Sequence, residues 1–178
     1  MKIFEIGVGE YVQCRTLQYI NTEVECYLFE PNPISFKQIE ENLGKYSNFK
    51  LFNYAVGSEN KIGYLYIARG SSFLEGAKSP EIAFDPNSEN RLEKVQIEIK
   101  DIRNIDDGKI DILLLDTEGT EFDIIKNLIS RPKEISVEMY SFGVKYKNPY
   151  FDEIINWMNM NNYKIVSEHE DFIFRLNE

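Results

Sequence analysis

Three short segments set acidic side chains and glycines where they could hold a ligand. They are Glu5-Ile6-Gly7-Val8-Gly9, Glu30 followed by Pro31-Asn32-Pro33, and Asp116-Thr117-Glu118-Gly119-Thr120-Glu121. In the first, the glycines allow a positive φ and a close approach of backbone to ligand, and the segment beyond offers free N–H groups. An acidic residue before such a turn suits a ligand bearing ammonium and sulfonium groups better than a pyrophosphate. A dinucleotide fingerprint needs a third small residue at position 12, where Val12 stands, which weakens a nicotinamide reading. Taken alone, the segment is equally well a plain tight turn. Glu30 follows Gly7 by 23 residues, and a carboxylate there can accept both ribose hydroxyls of a nucleoside cofactor. The bland alternative is a solvated acid at a strand end.

Asp116 and Glu118 precede a helix and read as a cofactor pocket or a base beside it. Glu121 reads as a first-turn acid that favours the helix dipole. Glu138 ends another apolar strand, so Glu118 and Glu138 are the candidate catalytic bases. A divalent metal between Asp116, Glu118 and Glu138 competes with simple hydrogen-bonded structure; the latter is preferred, and no metal is assigned.

The elements that must position these residues alternate along the chain. Strands are predicted at 2–6, 26–30, about 50–56, 62–68, 95–100, 110–116 and 135–139. Helical spacing links Cys14, Leu17 and Ile20, and again Phe36, Ile39 and Leu43, with Ser35 as cap and Gly44 as terminator. Further helices are predicted over about 120–129 and 150–161. Two closing strands, 163–168 and 171–176, are separated by His169 and Glu170 and form an antiparallel hairpin. Such alternation implies an α/β fold with a mainly parallel sheet, whose ligands bind at the carboxyl ends of the strands. The expected organisation is one domain over 1–178, with an irregular substrate-side insertion at about 57–100.

Bulk properties narrow the partners. The 178 residues are 43% hydrophobic and 28% charged, as in ordinary globular proteins. The net charge of −10 repels phosphate backbones, so nucleic acid is not expected as a partner. No apolar run reaches membrane-spanning length and no signal-peptide pattern opens the sequence, which predicts a cytoplasmic protein without membrane association. Cys14, Cys26 and His169 have no metal-ligand spacing; the cysteines read as reduced, buried thiols and His169 as a hairpin tip. Tyr140, Phe142 and the basic residues that follow, together with Ser72 and Phe73, could contact substrate, or merely cover the core.

Taken in order, Phe-Glu-Ile-Gly-Val-Gly (4–9), Leu-Phe-Glu-Pro-Asn-Pro (28–33), Asn-Tyr-Ala-Val-Gly (53–57), Gly-Ser-Ser-Phe (70–73) and Ile-Asp-Ile-Leu-Leu-Leu-Asp-Thr-Glu-Gly-Thr-Glu (110–121) resemble the FkbM family of methyltransferases over about residues 4–139. The resemblance implies a Rossmann-like three-layer sandwich, with a seven-stranded mainly parallel sheet and the C-terminal hairpin at one edge. It implies S-adenosylmethionine as methyl donor and a hydroxyl on a sugar or other small metabolite as acceptor. By position, Glu5, Gly7 and Gly9 would line the methionine end, Glu30 would hold the ribose, Ala55 and Val56 would lie near the adenine, and Asp116 would close the pocket. The family commonly has an Asn and a later Gly in the first turn, where Gly9 and Tyr11 stand here. It commonly has a Lys before the fourth-strand Asp, where this chain has Leu115. That departure, and a start at the first strand without a covering helix, keep a second reading open: a catalytically silent member that binds cofactor or a partner. A nicotinamide-dependent oxidoreductase is the third reading. Homo-oligomerisation is left open.

Overall fold

The computed structural model describes residues 1–68, 71–141 and 145–177. Strand β1 (Lys2–Ile6) leads through two short 3-10 segments to β2 (Glu25–Phe29), helix α1 (Pro33–Leu43) and β3 (Phe49–Phe52). The stretch that follows carries β4 (Ala55–Gly57), β5 (Lys61–Ile67), β6 (Phe73–Leu74), α2 (Pro80–Phe84), β7 (Glu93–Asp101) and α3 (Ile102–Ile105). The chain then runs through β8 (Ile112–Leu115), α4 (Glu121–Ile125), β9 (Glu134–Glu138), the short pair β10 (Tyr140–Ser141) and β11 (Tyr146–Lys147), α5 (Phe151–Met160), β12 (Tyr163–Glu168) and β13 (Asp171–Leu176).

Seven strands form the main sheet in the order β12-β13-β9-β8-β1-β2-β3. Pairing is parallel from β9 to β3 and antiparallel at β13, which lies between β9 and β12. The closing hairpin is therefore the reversed edge expected from its two-residue turn. Side chains alternate across β2: Tyr27 and Phe29 join the core built on β8 and β9, whereas Cys26 and Leu28 face α1 with Ile39, Leu43 and Phe49. An apolar layer on each face explains the near-continuous hydrophobic runs of the central strands.

Three local expectations change. Residues 10–21 form 3-10 turns at Tyr11–Gln13 and Arg15–Tyr19 instead of an α-helix. The cause is Glu5, whose buried carboxylate accepts Arg15 N at 2.7 Å, Thr16 N at 3.0 Å and Thr16 Oγ1 at 2.8 Å. Amides committed to a side chain cannot continue an i to i−4 ladder. Helix α1 is capped by Asn32, which accepts Ile34 N at 2.9 Å, while Ser35 lies inside the first turn and is buried. Pro33 at the first helical position settles which of the two caps. The predicted third strand divides: Asn53 Nδ2 donates to the carbonyls of Glu30 and Pro31, and Ala55–Gly57 joins a second sheet ordered β4-β7-β5-β6. Within the irregular insertion expected at about 57–100, Ser79 caps α2 by accepting Ile82 N.

From β1 the chain fills one side of the sheet with β2 and β3, then returns to place β8 on the other. The switch point lies between β1 and β8, where a ligand cleft is expected. Gly7 sits there at φ +80°, and a Cβ on it would stand 1.7 Å from the Asp116 carbonyl oxygen. Gly7→Ala should destabilise the protein by more than about 2 kcal/mol, through left-handed strain and the forced parting of β1 and β8. Chemical denaturation measures this, and an unchanged midpoint would refute the close approach.

Candidate functional site

The ends of β1, β2, β4 and β8 surround a cleft of about 890 Å³, its open mouth included. Volumes of this order accommodate small molecules and cofactors. Glu5, Gly7, Gly9, Glu30, Ala55, Val56 and Asp116 all line it, as do Glu118 and Ser72. All seven cofactor-side positions read from the sequence thus meet in one place.

Glu30 is almost wholly buried, and its carboxylate spans the cleft floor. Oε2 accepts Gly9 N at 2.7 Å and Oε1 accepts Asn32 N at 2.7 Å. These bonds fix the first turn against the second strand end, and Gly9 meets the geometry with φ +68°. Burial pushes the Glu30 carboxyl up to about 7, against the pull of its backbone donors. Glu5 also borders the cleft, although its oxygens are taken by residues 14–16, so it shapes the wall more than it offers a free acceptor.

Asp116, Glu118 and Glu138 each present one carboxylate oxygen such that the three oxygens lie within 4.8 Å of one another. Among the described residues this is a set of acids able to hold a cation. Glu118 takes a left-handed φ of 57°, is 8% exposed, and leaves Oε2 without a hydrogen-bond partner among the described residues. Burial, then the nearby Glu138 and Asp116, push its carboxyl up to about 9. Burial likewise raises Asp116, opposed by the Arg15 cation, and raises Glu138, reinforced by Asp116. Glu121 differs: Thr117 N, Thr117 Oγ1, Gly119 N and Asn148 Nδ2 all donate to it. It is structural, and more deeply so than a first-turn dipole effect requires.

The substrate-side expectations fare differently. Ser72 Oγ donates to Ala68 O and accepts Asn32 Nδ2 at 3.1 Å, which ties the second sheet to the cap of α1. Phe73 is fully buried against Tyr66 and lines no part of the cleft, so it is a core residue rather than a substrate contact. Tyr140 packs between Phe151 and Phe172, away from the cleft lining. Phe142 lies outside the described residues. Cys14 and Cys26 are free and buried, and both thiols are pushed up to about 12 by burial and by the Glu5 charge. His169 is exposed at the hairpin tip. Leu115 is fully buried in the core and lines no part of the cleft.

Arg15 was not anticipated. It lines the cleft, pairs with Asp171 at 3.0 Å and approaches Glu5 at 3.8 Å. Its Nη2 is buried with no partner among the described residues. The ion pair joins residues 156 apart, a separation that no local pattern signals.

Residues 6–165 match the family model of the methyltransferase FkbM domain. Among solved structures, the methyltransferase FkbM from Methylobacillus flagellatus KT superposes with a TM-score of 0.63 at 13% identity. The match covers 98% of this chain and 43% of that one, so this chain spans less than half the length of that relative. Likeness at this identity is one of fold. Among curated proteins none matches the chain significantly. No helix among the described residues is long and apolar enough to cross a membrane.

The raised Glu30 carboxyl has a consequence for folding. Its native value of about 7 exceeds the unstructured value of 4.5, so between these limits the native state binds the proton more tightly. The contribution to stability is complete below about pH 4.5 and is lost as pH rises through 7. Urea denaturation of the unliganded protein should show stability falling over that window, by up to about 3 kcal/mol from this group. A curve that is flat or rising between pH 5 and 7 would contradict it.

Proposed function

Because the chain belongs to the FkbM methyltransferase family, we propose that it transfers a methyl group from S-adenosylmethionine to a hydroxyl on a sugar or other small metabolite. The observation that carries this reading is the meeting of Glu5 and Glu30, from neighbouring parallel strand ends, in one cleft with the glycine turn. The strand order, with its reversed edge at β13, supports a Rossmann-like fold of the class I kind.

Each residue has a task in this reading. Glu30, held between Gly9 N and Asn32 N, accepts the ribose hydroxyls. The Gly7–Gly9 turn lets the methionine portion lie against backbone, and Arg15 Nη2 receives its carboxylate. Ala55 and Val56 flank the adenine. Asp116 closes the pocket and favours the sulfonium charge. In the transfer itself the acceptor oxygen forms a bond to the methyl carbon as the carbon–sulfur bond breaks, and sulfur departs as a neutral thioether. The hydroxyl proton passes to Glu118 or Glu138 in its ionised form, a stronger base than an exposed carboxylate because burial raises its proton affinity. Alignment of donor and acceptor supplies much of the acceleration.

Calorimetric titration with S-adenosylhomocysteine tests the pocket. The parent protein should bind saturably. Glu30→Ala should weaken binding by about 1–3 kcal/mol, and Arg15→Met by roughly tenfold. Folded parent protein that takes up no S-adenosylhomocysteine would sink the proposal. Binding without turnover on any hydroxyl acceptor would instead mark a silent member of the family.

A further inference from the structure

The buried acids of this chain fall into two groups. Glu5 is met by three donors from residues 15 and 16, Glu30 by two backbone amides, and Glu121 by four donors. These carboxylates have exchanged water for protein hydrogen bonds. Glu118, buried, and its half-buried neighbours Asp116 and Glu138 have not. No hydrogen bond to the Asp116 carboxylate exists among the described residues, and Glu118 Oε2 is buried without a partner. The hydroxyls of Ser71 and Ser141 favour the ionised forms of Glu118 and Glu138. The cation that acts on Asp116 is Arg15, which is already paired with Asp171.

We propose that Asp116, Glu118 and Glu138 form a binding site for one divalent, oxygen-preferring cation at the rim of the cleft. Three oxygens within 4.8 Å of one another leave a central point no more than about 2.8 Å from each. Small side-chain adjustments bring that to the roughly 2.0–2.6 Å of magnesium, manganese or calcium bonds to oxygen. The donor set is all carboxylate, with no thiol or imidazole, which selects hard cations over zinc or copper. The orphaned Glu118 oxygen acquires a partner, and three carboxylates, ionised as the cation binds, share its charge.

The site deepens the transferase reading and rests on it for its role. Asp116 and Glu118 line the same cleft as Glu30, so a cation held by them borders the space left for an acceptor. A hydroxyl bound to such a cation ionises more readily than a free one. Glu118 and Glu138 then serve as ligands rather than bases, and the proton of the cation-bound hydroxyl leaves to water at the open mouth of the cleft.

The test uses the full chain, treated with EDTA and desalted, and titrated with Mn²⁺ while the free-ion EPR signal is followed. One Mn²⁺ per chain should be withdrawn from solution, Mg²⁺ should compete for it, and the thermal midpoint should rise. Glu118→Gln and Glu138→Gln, each tested for folding by circular dichroism and by S-adenosylhomocysteine binding, should weaken Mn²⁺ uptake roughly tenfold or more. Parent protein that leaves the free Mn²⁺ signal as it is in buffer overturns the proposal. So do folded variants that bind Mn²⁺ as the parent does. If S-adenosylhomocysteine binds and Mn²⁺ does not, the cation site falls and the transferase reading stands. If Mn²⁺ binds at these residues and S-adenosylhomocysteine does not, the site stands and the transferase reading falls.

Discussion

A carboxylate that leaves water costs several kcal/mol unless donors replace the hydration it loses, and this chain folds its loops around that requirement. Glu5 draws residues 14–16 out of helical geometry and over the first strand. Glu30 fastens the glycine turn to the start of α1. Glu121 gathers Thr117, Gly119 and Asn148. At the opposite end of the sheet Asp106 accepts Ile129 N and Ser130 N, closing the loop between α4 and β9. In each case a single acid determines where a connection passes, and two of the four, Glu5 and Glu30, line the cleft.

The same requirement separates architecture from function in the cleft. Where donors converge, the acid is a fastener. Where they are missing, its proton or its charge is available for chemistry. Glu118 belongs to the second kind, held inward by a left-handed backbone that an L-residue adopts only at some cost. Beside it Gly7, lacking a Cβ, leaves room for the Asp116 carbonyl, so that the first and fourth parallel strands can lie close at the switch point. The glycine turn and Glu30 therefore stand in one cleft with Asp116 and Glu118.

The main sheet was legible because its strands are apolar on both faces and bounded by turn residues. Ile112–Leu115 falls within its predicted span, Glu134–Glu138 lies one residue ahead of its own, and the hairpin about His169 and Glu170 follows from its length. Strand-end acids were legible for a related reason, since the parallel topology gathers whatever follows each strand. Periodicity failed where a distant side chain intervened. Cys14, Leu17 and Ile20 do pack inward, but Glu5 holds the amides that a helix would have used. Phe73 and Tyr140 show the other limit: an aromatic in a loop reads the same whether it faces solvent, ligand or core, and here the core claims both. Arg15 was illegible because its partner Asp171 lies on the last strand.

One arrangement in the second sheet carries a consequence for diversification. The intervening stretch leaves the main sheet through β4 and returns through β7, and these two strands lie side by side, Ala55 opposite Ile99 and Gly57 opposite Asp101. Its two ends are therefore already joined, whatever the length between them, and closing a longer or shorter loop at that point adds little entropic cost. Leu65, Ser72 and Leu74 from this stretch form one wall of the cleft. The segment is a cassette: exchanging it remodels that wall and leaves the strand tips bearing Glu5, Glu30 and Asp116 where they are.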